Sequence, residues 1–341
     1  MRVIFTSDLH LKKDRPERFA ALNEILNIGS KEKVHYIIIG GDLFDSAHDA
    51  RSLRPELRQR LSDNKIPILV IPGNHDHDCF IENLDFGENL TPLVERPFTV
   101  IKKEQCQIVA VPYFEGDLGM ILPNLTQARD KKMKSLLVIH GSLDLTGFSR
   151  LDFGAEKEVR YLPITEGMIK ELGYHYILAG HYHTEPLRRQ IGRTRFFYSG
   201  SPVVITRREV GRRHVYLIDT EDEAKLIPLN TRYYQPIELT VFPGEEKQVL
   251  VSLKKMLAKH DQNLADLEVT IKGFIKVGEK DFGGIINVVA GSVKVNKEYR
   301  QVSDLISEPL YSRIRKKLDG MKINPDLRRR VEEMFIEALI R

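Results

Sequence analysis

The chain has 341 residues, with 52 lysines and arginines against 48 aspartates and glutamates, for a formal net charge of +4. That length admits a large domain plus a smaller one, and so mild a charge leaves any hold on nucleic acid to local patches. Two cysteines, Cys79 and Cys106, without zinc-type spacing exclude a disulfide scaffold; with no signal-peptide-like start and no membrane-length apolar run, the expectation is a soluble cytoplasmic protein with no membrane partner.

Five segments before residue 185 share one design, a short apolar run ending in a polar tip. Residues 3–6 lead to Ser7-Asp8-Leu9-His10, and residues 36–39 lead through Gly40 and Gly41 to Asp42. Residues 67–71 lead to Gly73-Asn74-His75-Asp76, residues 136–139 to His140-Gly141, and residues 176–179 to Gly180-His181-Tyr182-His183. β-branched runs of this length read as buried strands, and ligands collect at the carboxyl ends of strands in α/β sheets. Residues 16–28 and 50–62 carry helical apolar spacing between them, so an α/β domain is expected. After His183, residues 195–198 and 214–218 read as antiparallel strands closing the far side of the core. A change near residue 232 introduces an alternating strand at 237–241, a helix at 245–260 and a strand at 267–272. At the end, Ser307 is placed to cap a helix stopped by Gly320. Asn324 with Pro325 opens a second helix, carrying Leu327, Val331, Met334, Phe335 and Ala338 in one stripe. The domains expected are 1–230, 231–303 and the helix pair 304–341.

The tips together offer Asp8, His10, Asp42, Asn74, His75, His140, His181 and His183, and so five of the eleven histidines. Singly, an aspartate or histidine at a strand end is an ordinary turn former. Jointly, on one edge of a sheet, they point to a metal centre. Oxygen and imidazole donors without thiolate suit manganese, iron or zinc. There are enough for two cations if one carboxylate is shared, and Asp42 is the natural bridge.

In order and spacing these motifs resemble the five of the calcineurin-like metallophosphoesterases, over residues 1 to about 220. The resemblance implies a β-sandwich flanked by helices, with Asp8, His10, Asp42 and His183 around one divalent cation. It places Asp42, Asn74, His140 and His181 around the other, with Mn2+ the metal expected. It also implies that His75 stands over the substrate phosphate as general acid or electrostatic partner. Asp45 then either orients His75 or stabilises its own loop as an Asx turn.

Within that superfamily the chain is most similar to SbcD-type DNA repair nucleases. The similarity rests on the opening run to Ser-Asp-Leu-His, on residues 178–183 followed by Phe197-Tyr198-Ser199-Gly200-Ser201-Pro202, and on the small α+β domain where such nucleases carry a DNA cap. DNA and an SbcC-type ABC ATPase are the partners implied. The final helices either grip that ATPase's coiled coil or pack on their own cap. The family's dimer helices fall within residues 77–133, a compact stretch here, which leaves a homodimer open. Ser46 and Ala47 stand where phosphoprotein phosphatases carry an arginine, which argues against that branch. Basic pairs Lys12-Lys13, Arg188-Arg189, Arg207-Arg208 and Arg212-Arg213 on loops either meet backbone phosphates or simply solvate the surface. The reaction expected is DNA phosphodiester hydrolysis. The rivals are hydrolysis of nucleotides or other small phosphoesters, and a non-catalytic scaffold.

Overall fold

A computed structural model describes residues 1–81, 85–144, 162–276, 279–302 and 309–340. It divides into two compact units, Met1–Tyr234 and Gln235–Arg341.

Unit 1 holds two six-stranded sheets. In the first, β1 (Arg2–Thr6), β2 (Tyr36–Ile39), β3 (Ile68–Val70) and β4 (Leu90–Pro92) run parallel. Antiparallel β13 (His214–Asp219) and β14 (Lys225–Pro228) extend it beyond β1. The second has the order β11-β12-β10-β7-β6-β5. Its strands are β5 (Thr99–Lys103), β6 (Cys106–Val111), β7 (Lys134–His140), β10 (Tyr176–Gly180), β11 (Leu187–Ile191) and β12 (Thr194–Tyr198). Two short strands, β8 (Leu143–Asp144) and β9 (Ile164–Thr165), pair apart from both sheets.

Side-chain alternation along the strands builds three apolar layers. Val3, Phe5, Ile38 and Leu69 of the first sheet meet Ile108, Val138, Leu178 and Phe197 of the second in a dry interior. The opposite face of the first sheet, with Ile4, Ile37 and Val70, packs on α1 (Pro16–Lys31), α2 (Ala47–Leu61) and α3 (His77–Ile81). The outer face of the second, with Val109, Leu137 and Ile177, packs on α4 (Leu122–Ala128) and α5 (Glu166–Leu172). The result is a β-sandwich between helical layers, of the α/β class expected. Both cysteines are buried and free.

In unit 1, three expectations change. The five tips do not share one sheet edge: Asp8, Asp42 and Asn74 follow strands of the first sheet, His140 and His181 strands of the second. A buried run of β-branched residues shows that a strand is covered on both faces, but not which sheet it joins. Residues 195–198 pair antiparallel with β11 but parallel with β10, because β11 intervenes in the chain as a hairpin partner, while residues 214–218 run antiparallel to β1 as expected. Arg188 and Arg189 therefore stand within β11 and not on a loop.

Unit 2 has a three-stranded sheet of β15 (Tyr233–Val241), β16 (Ala265–Ile275) and β17 (Lys294–Gln301). Helices α6 (Glu246–Leu257) and α7 (Glu279–Ala290) bury Val249, Leu253, Phe282 and Ile286 against it. Helices α8 (Pro309–Asp319) and α9 (Pro325–Ile340) pack by Tyr311 and Ile336 on Phe242, Phe274 and Val302. The expected α9 stripe is buried only in part: Phe335 packs against that cluster, but Leu327, Val331 and Met334 are 53%, 38% and 64% exposed, while Glu332 and Ile336 are buried. The Tyr311 hydroxyl gives Glu332 its partner at 2.9 Å, which lets a carboxylate sit on the inner face. Ser307 lies outside the described residues. Among those residues no helix is long and apolar enough to cross a membrane.

Candidate metal centre

The site grows from backbone that leaves the strands in an unusual conformation. Beyond β1 and β2 the chains stay zipped, with Asp8 N donating to Gly41 O at 3.0 Å and His10 N to Asp42 O at 2.9 Å. Asp8, His10 and Asp42 have φ of 58°, 46° and 51°, and His181 has 113°. Non-glycine residues adopt positive φ at a cost, and such strain gathers at functional sites. Three glycines make room for the approach. A Cβ on Gly41 would lie 2.2 Å from His140 Nδ1, one on Gly73 2.1 Å from Asp42 Oδ1, and one on Gly180 2.1 Å from Gly40 O.

The tips of the two sheets then converge. Ligand atoms of Asp8, His10 and His183 lie within 4.8 Å of one another, as do those of Asp8, Asp42 and His140. On one side, His10 Nε2 faces His183 Nε2 at 3.0 Å, and His183 Nε2 is 3.8 Å from Asp8 Oδ1. On the other, Asn74 Oδ1 lies 2.8 Å from His140 Nε2 and 3.3 Å from His181 Nδ1. Asp42 stands between the halves, its Oδ2 3.7 Å from His10 Nε2 and 3.3 Å from His140 Nε2. Its Oδ1 accepts the backbone N–H of His75 at 2.9 Å. All seven expected ligand positions are thus brought together.

The chemistry of this donor set fits divalent cations. Asp8 and Asp42 are buried acidic groups surrounded by the imidazoles of His10, His140, His181 and His183, which are buried too. Isolated buried charges are costly and call for a counter-charge. Nδ1 of His10 is buried and makes no hydrogen bond among the described residues. Burial raises the Asp8 carboxyl above its usual range although His183 and His140 oppose it. Burial pushes the Asp42 carboxyl the same way, yet the charge and hydrogen bond of His140 outweigh it and hold that group well below the carboxylate range. Burial works against a charged His140, but Asp42 and Asp8 win and push its imidazole up to about 9. In His10 burial prevails and lowers the ring well below the usual histidine value.

His75 stands at the rim, exposed, within 4.8 Å of ligand atoms of His10 and Asp42 and with its ring edge-on to His10 at 4.8 Å. Asp45, expected beside His75, has its described contacts elsewhere. It takes Lys12 Nζ at 2.7 Å and Arg18 Nη1 at 3.0 Å, and its Oδ1 lies 3.7 Å from His10 Nδ1. These contacts anchor its carboxylate below His10.

Several supporting residues carry little or no signal in the sequence. Arg18, buried on α1, donates to the carbonyl of His10 as well as to Asp45. Asp76, in sequence only part of a polar tip, accepts Gly73 N at 2.7 Å and Phe44 N at 3.2 Å, tying the β2 and β3 tips together. Glu209 and Arg213 reach His183 from the segment before β13. Nothing in composition separates Glu209 from a solvated loop acid. Arg213 reads in sequence as half of a surface basic pair, but it is 1% exposed and spends its guanidinium on the carbonyls of His183, Val210 and Gly211. It is therefore closed to a phosphate. Arg188 is exposed and pairs with Glu223 at 3.5 Å.

Such a pocket, with two buried carboxylates, imidazoles from both sheets and an exposed histidine at its mouth, is a donor set suited to divalent cations. Residues 1–185 match the calcineurin-like phosphoesterase family, and the chain belongs to it. The chain is 24% identical over 304 residues to the DNA double-strand break repair protein Mre11 of Saccharolobus solfataricus, covering 80% of this chain and 75% of that one. It is 22% identical over 308 residues to a subunit of the SbcCD nuclease of Staphylococcus epidermidis, covering 76% and 77%. Among solved structures, TT1561 of Thermus thermophilus superposes with a TM-score of 0.45 at 13% identity, over 67% of this chain and 98% of that one.

Proposed function

We propose that this chain is a phosphodiesterase dependent on two divalent cations, Mn2+ foremost, that cleaves DNA. The observation that carries the reading is the convergence of six oxygen and imidazole donors around Asp42, with that carboxylate between the two halves. Asp8, His10, Asp42 and His183 would hold one cation, and Asp42, Asn74, His140 and His181 the other. Bound there, the pair supplies Lewis-acid charge to the phosphoryl oxygens and acidifies water. His75, exposed at the mouth, delivers a proton to the departing sugar oxygen. Asp45, fixed by Lys12 and Arg18, backs His10.

DNA is favoured over small phosphoesters because the matched relatives are, by name, a DNA break repair protein and a nuclease subunit, and the 80% span matched exceeds unit 1. The similarity therefore reaches the second unit, which a small-molecule esterase does not need. Its exposed Leu327, Val331 and Met334 support docking of an SbcC-type ATPase on α9.

The test is digestion of linear DNA by the purified chain with Mn2+, with and without a co-expressed coiled-coil ATPase. His75→Ala is expected to lower the rate by about 10²–10⁴. Equal digestion by both proteins overturns the role of His75. Cleavage of bis(4-nitrophenyl) phosphate with DNA untouched under every condition transfers the reading to small phosphoesters.

A further inference from the structure

The mechanism proposed for the metal centre gives no task to Glu209, a fully buried acid beside one of its proposed ligands. Glu209 is 0% exposed, on the segment between β12 and β13, and its Oε1 lies 3.3 Å from Nδ1 of His183. The carboxylate is already an acceptor on both oxygens. Ile205 N donates to Oε2 at 2.7 Å, while Thr206 N and Thr206 Oγ1 each donate to Oε1 at 3.2 Å. With both Glu209 oxygens engaged as acceptors, the hydrogen-bond geometry places the hydrogen between Glu209 and His183 on Nδ1 of the ring. That tautomer leaves the lone pair on Nε2, the nitrogen turned toward Asp8 and His10. The same segment also grips the backbone of His183: Arg213 Nη1 donates to its carbonyl at 2.8 Å, and Ser201 Oγ lies 3.2 Å from that oxygen. His140 receives the equivalent constraint from a neutral acceptor, Gly40 O, 2.8 Å from its Nδ1. A carboxylate is a stronger acceptor than a carbonyl, so Glu209 holds the ring in orientation and strengthens Nε2 as a donor beyond what a backbone oxygen at the same place would do.

We infer that Glu209 is the positioning residue for the His183 cation site, fixing the ring's tautomer and strengthening it as a donor. This rests on the metal-centre reading under the proposed function. Glutamine is the informative replacement, since whichever way its amide turns, the NH2 meets a donor, Ile205 N–H or His183 Nδ1–H. Full-length protein, freed of metal by chelation, is titrated with Mn2+ by calorimetry and by electron paramagnetic resonance, with thermal unfolding as a check on the fold. Glu209→Gln is expected to weaken one of the two Mn2+ ions by about 10–100-fold, the range for a lost outer-sphere partner, and to leave the other within about twofold. An isotherm identical to wild type overturns the inference. So does a variant that melts earlier yet binds both ions as tightly as wild type well below its midpoint, since that is a purely structural role. If Glu209→Gln does not fold, Thr206→Val, which removes only a hydroxyl from Oε1, decides: selective loss of several-fold at one ion supports the inference, and no change overturns it. Wild-type protein that takes up no Mn2+ at all overturns the metal-centre reading, and this inference with it.

Discussion

At the scale of single residues, Asp42 is the group on which the site turns. It reaches His10 through Oδ2 on one side and His140 through the same oxygen on the other. Asp42→Asn removes the charge that a shared ligand needs, and the expected outcome is loss of both cations rather than one, measured as Mn2+ stoichiometry. The titration of His140 gives a second prediction. Its pKa in the fold, about 9, lies above the ordinary value of 6.5. In cation-free protein its contribution to stability is therefore fully present below about pH 6.5 and lost as pH rises through about 9. A cation needs the neutral ring, so uptake must expel that proton. Mn2+ affinity is expected to rise about tenfold per pH unit from 7 towards 9, and calorimetry in buffers of different ionisation enthalpy is expected to find a proton released. Affinity flat across that range would contradict it.

At the scale of elements, the site depends on how closely β2 and β10 approach from different sheets. Gly180 meets Gly40 O with no space for a Cβ. Gly180→Ala is expected to cost about 1–3 kcal/mol in unfolding free energy, the usual penalty for overpacking a core, and to pull His181 away from Asn74. Chemical denaturation with Mn2+ titration on the same protein checks both parts. Asp76 joins β2 to β3 through two backbone N–H groups. Asp76→Asn leaves one of those donors facing an NH2, at an expected cost of about 1–3 kcal/mol. A stability change near zero would mean that the tips hold together without it.

At the scale of the whole molecule, the prediction concerns division of labour. Unit 1 contains every proposed ligand and three apolar layers of its own. A chain ending at Tyr234 is expected to keep hydrolysis of a small phosphodiester while losing most digestion of long DNA. Cleavage of DNA by the full chain is expected to fall steeply with added salt, because polymer binding releases counterions, whereas the small diester responds weakly. Undiminished DNA digestion by the shortened chain would remove the second unit from the substrate's path. With Arg213 buried, and Lys12 and Arg188 paired to Asp45 and Glu223, the exposed cations of the basic pairs to test on backbone phosphate are Lys13, Arg207, Arg208 and Arg212.

Reading the residues in order was enough to find the strands that end in the site, the donors on their tips and the α/β class. Buried strands advertise themselves by local composition, and a ligand motif is a local pattern of residue type and spacing. What only the tertiary structure decided is non-local. It assigned the tips to two sheets, ran residues 195–198 parallel to β10, put Arg213 inside, turned Leu327 and Met334 outward, and set Glu209 behind His183. Strand partners, and the neighbours of a buried charge, come from chain segments far apart in sequence. A glutamate in a loop reads the same whether water or an imidazole faces it, and packing alone makes the difference.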